Sequence, residues 1–233
     1  YTFHAMKKKY HPFIPPQPQQ SHMSYMRRHK LLQRLKENVK NNLHLVLDLD
    51  ETLIHSIILP QTKSLHPTLL KQLNYRHPHI QNSSYVLQTI PLDQNEFFLV
   101  YQRPYLREFI WNVIQLGFNL HIFTYGTDEY CREIVRGLIQ YLWYHPFQRI
   151  CSRLGSLPHN AKTLSIMGLN PDHTIVLDDK KEVWKWDQRC VIQISPFDQI
   201  DDTKKPMNLL HVLQVLVDIV LIANKVGLLH MKR

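Results

Sequence analysis

Two carboxylates at the end of a short apolar run are the residues of this chain best placed to do chemistry. Residues 43–47 form a mostly aliphatic stretch of strand length, and Asp48, Asp50 and Thr52 follow it at alternate positions. Because side chains alternate along an extended chain, both carboxylates are expected on the same side. Two converging carboxylates suit a hard divalent cation and in-line attack on a phosphoryl group. An acidic turn after a buried strand is the alternative explanation, so the rest of the chain must decide.

Alternating strand-like and helix-like segments surround this pair and predict an α/β fold with an open, mostly parallel sheet. Predicted strands cover residues 43–47, 120–123, 174–177 and 191–194, and predicted helices cover 103–116, 129–141, 161–167 and 207–224. Residues 85–90 and 97–101 are expected to form a small β-hairpin insertion, whereas the segment that follows Thr52 is assigned to a loop. Polar residues interrupt the apolar helix 207–224, which indicates core packing and no transmembrane span.

Ligands of such sheets bind at the carboxyl ends of the strands, and three of the predicted strands end in polar side chains. These side chains are Asp48 and Asp50, Thr124, and Asp178 and Asp179. Lys162 lies 16 positions before Asp178, at the start of a predicted helix. Convergence of several strand ends on one reaction argues for a site much more strongly than any single motif does.

These residue types predict a division of labour in phosphoryl transfer. Asp48 would attack phosphorus and form an aspartyl-phosphate, while Asp50 would protonate the leaving group and then deprotonate the attacking water. Mg²⁺ would be held by Asp48, the backbone carbonyl of Asp50 and Asp178. Thr124 and Lys162 would bind the other phosphoryl oxygens and balance the charge of the transition state. Thr52 is expected to brace the loop.

The motifs that carry these residues resemble a known family. Asp48-Leu-Asp-Glu-Thr-Leu-Ile-His55 is similar to the D-x-D-x-T signature of the haloacid dehalogenase (HAD) superfamily, in the form found in Fcp/Scp-type phosphatases with an FCP1 homology domain. Further similar stretches occur in the expected order at residues 103–109, 122–127, 151–153 and 174–184, so that the resemblance covers residues 43–222. The paired Asp178 and Asp179 resemble the Fcp branch more closely than the small phosphatases.

The resemblance implies a HAD-like (Rossmannoid) fold and a Mg²⁺-dependent protein phosphatase. The substrate implied is phosphoserine or phosphothreonine in the C-terminal repeat of RNA polymerase II or a similar phosphoprotein, and the compartment implied is the nucleus. The metal set would comprise Asp48, Asp50, Asp178 and Asp179, the last through a metal-bound water. Arg153 would contact substrate near the phosphate. The short, partly strand-like insertion within residues 56–95 resembles an open site for peptides more than a cap over metabolites.

The termini are predicted to lie outside the phosphatase domain, which is assigned to residues 41–226. Residues 1–40 combine a basic segment rich in Pro and Gln with a basic amphipathic helix over residues 24–40, and residues 227–233 form a short tail. The formal charge of +9 favours acidic partners: phosphoproteins, nucleic acid or an anionic surface. The pattern of the basic helix is equally typical of a partner-binding segment and of a helix docked on the domain edge.

Two alternative roles remain compatible with the same fold. A non-catalytic scaffold, similar to the receptor component of the mitochondrial inner-membrane import machinery, would suit the basic helix and would place the protein in mitochondria. Relatives of that kind typically lack the acids that are present here. A nucleic-acid-associated protein would use the basic tail. Three widely spaced cysteines indicate reduced thiols and argue against a structural zinc site.

Overall fold

The computed structural model describes residues 43–60, 86–91, 96–153, 161–198 and 205–225. In chain order the strands and longer helices are β1 (His44–Leu47), β2 (Ile54–Pro60), β3 (Val86–Pro91), β4 (Glu96–Gln102), α1 (Leu106–Gln115), β5 (Asn119–Phe123), α2 (Asp128–Leu142), β6 (Phe147–Cys151), β7 (Thr174–Asp178), β8 (Val191–Gln193) and α3 (Leu209–Lys225). The predictions for residues 1–40, including the helix over 24–40, and for the tail over 227–233 lie outside the described residues.

Five parallel strands form the central sheet, in the order β6-β5-β1-β7-β8. The chain winds outward from β1 through β5 and β6 and then crosses to the other side for β7 and β8. The strand order therefore reverses beside β1, and the crevice at such a reversal is where ligands bind in open α/β sheets. The predicted parallel α/β fold is confirmed.

After His44 the central strand is apolar, because both of its faces are covered. Leu45 and Leu47 are fully buried in the larger core, to which α1, α2 and α3 all contribute. Val46 faces the opposite way, into a smaller core with Phe123 and the fully buried Trp184. This sandwiching fixes the register of β1, and with it the place where the chain emerges at Asp48.

A separate antiparallel sheet has the order β2-β4-β3 and forms the insertion. The hairpin predicted for residues 85–90 and 97–101 is confirmed as β3 and β4. The loop assignment after Thr52 was wrong in part, because β2 begins at Ile54 and pairs along β4. Ile54 is fully buried, and the apolar residues of this segment form a strand that begins directly after the acidic motif.

The predicted helices are confirmed for α1, α2 and α3, whereas the helix predicted over residues 161–167 was wrong. Only Leu164–Met167 is helical within that range, as a single 3-10 turn. Lys162 precedes the turn, and its backbone N–H donates to the carbonyl of Val183 at 2.8 Å. The edge strand β6, in which three of five residues are exposed, was not predicted from the sequence. No helix among the described residues is long and apolar enough to cross a membrane.

Candidate active site

The tips of β1 and β7 bring three carboxylates together. The parallel register pairs Leu47 with Leu177, and the N–H of Asp48 donates to the carbonyl of Leu177 at 3.0 Å. Asp48, Asp178 and Asp179, here called the carboxylate triad, each place an oxygen within 4.8 Å of the others, and all three residues are buried. The convergence predicted for these strand ends is therefore present.

Lys162 lies among these acids. Its Nζ donates to Oδ1 of Asp48 at 2.6 Å and to Oδ2 of Asp178 at 2.8 Å, and its side chain is only 2% exposed. Aromatic rings complete its surroundings, with Nζ 5.1 Å from the ring centre of Tyr125 and 5.7 Å from that of Trp184. Burial alone lowers the pKa of Lys162, but the two carboxylates more than offset this effect and raise it. The lysine therefore stays charged.

The charge balance of this group suits a divalent cation. Burial raises the pKa of Asp48 to about 7, with Lys162 opposing the shift, and burial together with Asp178 raises the pKa of Asp179 to about 6. Three carboxyl groups thus share one ammonium group in a buried space, and the raised pKa values of Asp48 and Asp179 show that their ionised forms lack full compensation there. Buried charge of one sign is strongly unfavourable without compensation, and carboxylate oxygens are the ligands that Mg²⁺ prefers. The residues thus fit the predicted metal.

Asp50 has different surroundings, although it lies only two residues from Asp48. Its Oδ1 accepts a hydrogen bond from the Tyr130 hydroxyl and its side chain borders a cavity of about 470 Å³. Burial raises the pKa of Asp50, and the bond from Tyr130 works against that shift. Its carboxylate thus belongs to the mouth of the site, beside the carboxylate triad.

Thr124 and Arg153, the other predicted phosphate-binding residues, lie on the β5 side of the site. Thr124 is 1% exposed at the end of β5, and its Oγ1 accepts from the N–H of Gly126 at 3.0 Å. Arg153 is exposed and lines the same cavity as Asp50. Its backbone N–H donates to the carbonyl of Gly126 at 2.9 Å, which ties the two residues to one turn.

The chain matches a known protein family. The family described as NLI interacting factor-like phosphatase matches residues 43–226. The chain belongs to this phosphatase family. Among similar proteins is an RNA polymerase II C-terminal domain phosphatase of Schizosaccharomyces pombe, 27% identical over 169 residues, or 70% of this chain. The corresponding phosphatase of Caenorhabditis elegans is 28% identical over 181 residues, or 74% of this chain.

The match covers only part of each larger protein. This NLI interacting factor-like chain spans 22% and 24% of the length of those two relatives. A solved structure described as Fcp1, an essential RNA polymerase II CTD phosphatase, superimposes with a TM-score of 0.50 at 22% identity. That superposition covers 85% of this chain and 53% of the other. It confirms the predicted HAD-like fold, as the family match confirms the predicted family.

Arg103 is a site residue of this phosphatase-family chain whose role the sequence did not reveal. Its side chain is 1% exposed and donates to the carbonyl of Thr52 at 3.0 Å and to the carbonyl of Ser195 at 2.6 Å. Because this buried guanidinium donates to both backbone carbonyls, it holds the loop after the acidic motif against the segment after β8. The position of Arg103 at the start of the motif over residues 103–109 was the sequence signal that could have indicated this role.

Two further side chains brace the carboxylate triad. The Thr52 hydroxyl accepts from the N–H of Asp179 at 3.1 Å, the kind of contact expected of a residue that braces the loop. The indole N–H of Trp184 donates to Oδ2 of Asp178 at 2.8 Å, so that this oxygen accepts from both Trp184 and Lys162. Trp184 belongs to the motif over residues 174–184, but nothing in the sequence showed that its indole reaches a carboxylate.

Proposed function

We propose that this protein is a Mg²⁺-dependent phosphoserine/phosphothreonine protein phosphatase that works through an aspartyl-phosphate on Asp48. The observation that carries this proposal is the carboxylate triad, with Lys162 bonded to two of its members and Asp50 beside it. An ordinary acidic turn does not require a buried lysine shared between two strand ends. Nor does a non-catalytic scaffold, which gains nothing from an excess of buried negative charge.

Asp48 is the nucleophile in this mechanism. One of its oxygens forms a bond to phosphorus while the bond from phosphorus to the seryl or threonyl oxygen breaks. Asp50 gives its proton to the departing oxygen, and burial favours the protonated form that this step needs. Asp50 then takes a proton from water, whose oxygen attacks phosphorus, releases phosphate and regenerates Asp48.

The remaining residues would stabilise the negative charge of the phosphoryl group. Asp48, Asp178 and Asp179 would hold Mg²⁺, which supplies positive charge against the phosphoryl oxygens and orients the phosphate. Lys162 carries a second positive charge at the nucleophile, and Thr124 offers a hydroxyl from the end of β5. Arg153 would meet the substrate on the exposed side of the cavity.

The proposed substrate is a phosphorylated peptide segment such as the C-terminal repeat of RNA polymerase II. Two features support it: the names of the similar proteins, and an open cavity of about 470 Å³ that begins at Asp50 and extends to the insertion. The proposed compartment is accordingly the nucleus.

An acidic or nucleic-acid partner is proposed for the basic residues 1–40. This proposal predicts salt-sensitive binding to the partner and loss of that binding when the segment is deleted.

Turnover by the purified full chain tests the function. With Mg²⁺ we expect hydrolysis of p-nitrophenyl phosphate and of phosphoserine repeat peptides, and loss of both when the cation is chelated. Failure to hydrolyse either substrate would contradict the enzyme proposal. If hydrolysis is observed, substrate trapping with Asp48→Asn should identify the bound phosphoprotein. Asp172→Asn, at an exposed position, is the matched control.

A further inference from the structure

Tyr130 joins the insertion to the proposed acid of the reaction. Its hydroxyl donates to Oδ1 of Asp50 and lies 2.5 Å from Oγ of Ser56 in β2. We infer that Tyr130 is a positioning residue that orients Asp50 for proton transfer to the leaving group. The inference rests on the proposed function and adds a residue to it.

Two close neighbours restrict the tyrosine ring. The ring of Phe98 in β4 lies against it, with ring centres 5.0 Å apart and an angle of 59°. Gly126 comes so close that an added Cβ would lie 2.5 Å from Cδ1 of Tyr130. The backbone N–H of Tyr130 also donates to Oγ1 of Thr127, which caps α2 at its first turn. The hydroxyl therefore has a defined position and is not free to follow Asp50.

The direction of the hydrogen bonds can be assigned. The carboxylate of Asp50 can only accept from the phenol, so Tyr130 uses its single proton on Oδ1, and Ser56 must donate to the phenol oxygen. With Oδ1 occupied as an acceptor, the proton that Asp50 transfers is carried by Oδ2. Tyr130 thus selects which oxygen of the acid faces the leaving group.

The leaving group provides a test that a merely structural role would not pass. A seryl oxygen needs a proton as it departs, whereas p-nitrophenolate is stable without one. In kcat/KM, which covers steps up to departure of the leaving group, Tyr130→Phe should lower the rate on a phosphoserine peptide by about tenfold or more. The loss on p-nitrophenyl phosphate should be several-fold smaller. In an Asp50→Asn background the same substitution should cause no further loss on the peptide.

Tyr144→Phe is the matched control, because within the described residues its buried hydroxyl has no hydrogen-bond partner. It should leave both substrates unaffected, and thermal unfolding should show that all variants are folded. Equal losses of Tyr130→Phe on the two substrates, or additive losses with Asp50→Asn, would overturn the positioning role while leaving the proposed function standing. Absence of turnover in the unsubstituted chain would overturn the proposed function and this inference together.

Discussion

The two ends of the central strand β1 both bury ionisable side chains, and they do so in opposite ways. At the carboxyl end, Asp48 keeps a buried cation beside it, with Lys162 at 2.6 Å. At the amino end, Nδ1 of His44 lies 2.9 Å from Nε2 of His121, which is 1% exposed. Burial lowers the pKa of both histidines, that of His121 to about 4, and the nearby Arg149 adds to the effect.

The two ends of β1 stabilise their buried ionisable groups in different ways. Two neutral imidazoles share one proton in a hydrogen bond, and this arrangement needs no compensating charge. The carboxylate triad instead keeps charge inside the protein, where Lys162 compensates part of it and the proposed cation would compensate the rest. The carboxyl end combines a carboxylate with a buried ammonium group, and the proposed chemistry belongs there. The following predictions test the contrast, beginning with the largest effect.

Asp48→Asn should abolish the proposed turnover. An amide is a very poor nucleophile toward phosphorus, so we expect kcat to fall by at least about 10³-fold on both peptide and aryl phosphate. Thermal unfolding should show a folded protein, since Lys162 retains Asp178. Activity within a few-fold of the unsubstituted chain would show that the nucleophile lies elsewhere, and Asp172→Asn provides an exposed carboxylate control.

Lys162→Met should cause the largest loss of stability. It leaves two buried carboxylates without their shared cation, for which we expect the free energy of unfolding to fall by about 3–5 kcal/mol in urea without divalent cations. Arg189→Met is the control, because its partner Asp172 and Arg189 itself are both 74% exposed. That pair should contribute no more than about 1 kcal/mol. Equal effects of the two substitutions would show that Lys162 is not a charge-compensating residue.

Mg²⁺ should stabilise the charged end selectively. At 100 times its dissociation constant a bound ligand adds about 2.7 kcal/mol to the free energy of unfolding, which thermal unfolding detects as a higher Tm. Asp178→Asn should lose this increment, whereas Asp172→Asn should keep it. A magnesium effect that survives Asp178→Asn would mean that the cation binds outside the carboxylate triad.

Acidification should lower the stability that neutral His121 contributes at the amino end of β1. Because the pKa of His121 is lowered from 6.5 to about 4, the unfolded chain binds a proton before the folded chain does as the pH falls. The stability contributed by a neutral His121 is therefore complete above pH 6.5 and is lost toward pH 4, by about 2 kcal/mol between pH 7 and pH 5.

The carboxylate triad changes stability in the opposite sense over that range. Asp48 and Asp179 have raised pKa values, of about 7 and about 6, so the folded state binds their protons more readily than the unfolded chain does. The measurement is therefore the difference between the unsubstituted chain and His121→Gln, by urea unfolding at both pH values. If the two proteins lose stability equally on acidification, His121 is not neutral in the folded state.

Much of the fold and of the site could be predicted because its signals are local. Apolar runs of strand length ended in acids at Asp48 and Asp178, and a parallel sheet brings such ends to one edge. The edge strand β6 escaped prediction because its exposed residues break the apolar pattern. Lys162 does lie beside the acids, but the helix predicted for it was wrong, because its backbone N–H donates to the carbonyl of Val183 in place of a helical partner. Arg103, Trp184 and Tyr130 act through contacts between distant segments, which no local pattern reports.

The bond between Lys162 and Asp48 joins residues 114 positions apart, and that between Thr52 and Asp179 joins residues 127 apart. During synthesis the proposed nucleophile, Asp48, therefore leaves the ribosome long before Lys162 and the end of β7 have been made. Until both have been added to the fold, the acidic motif lacks Lys162 and the two other members of the carboxylate triad. Competence for the proposed reaction thus arises only with closure of the sheet, so that an incomplete chain would be inert toward phosphoproteins it meets.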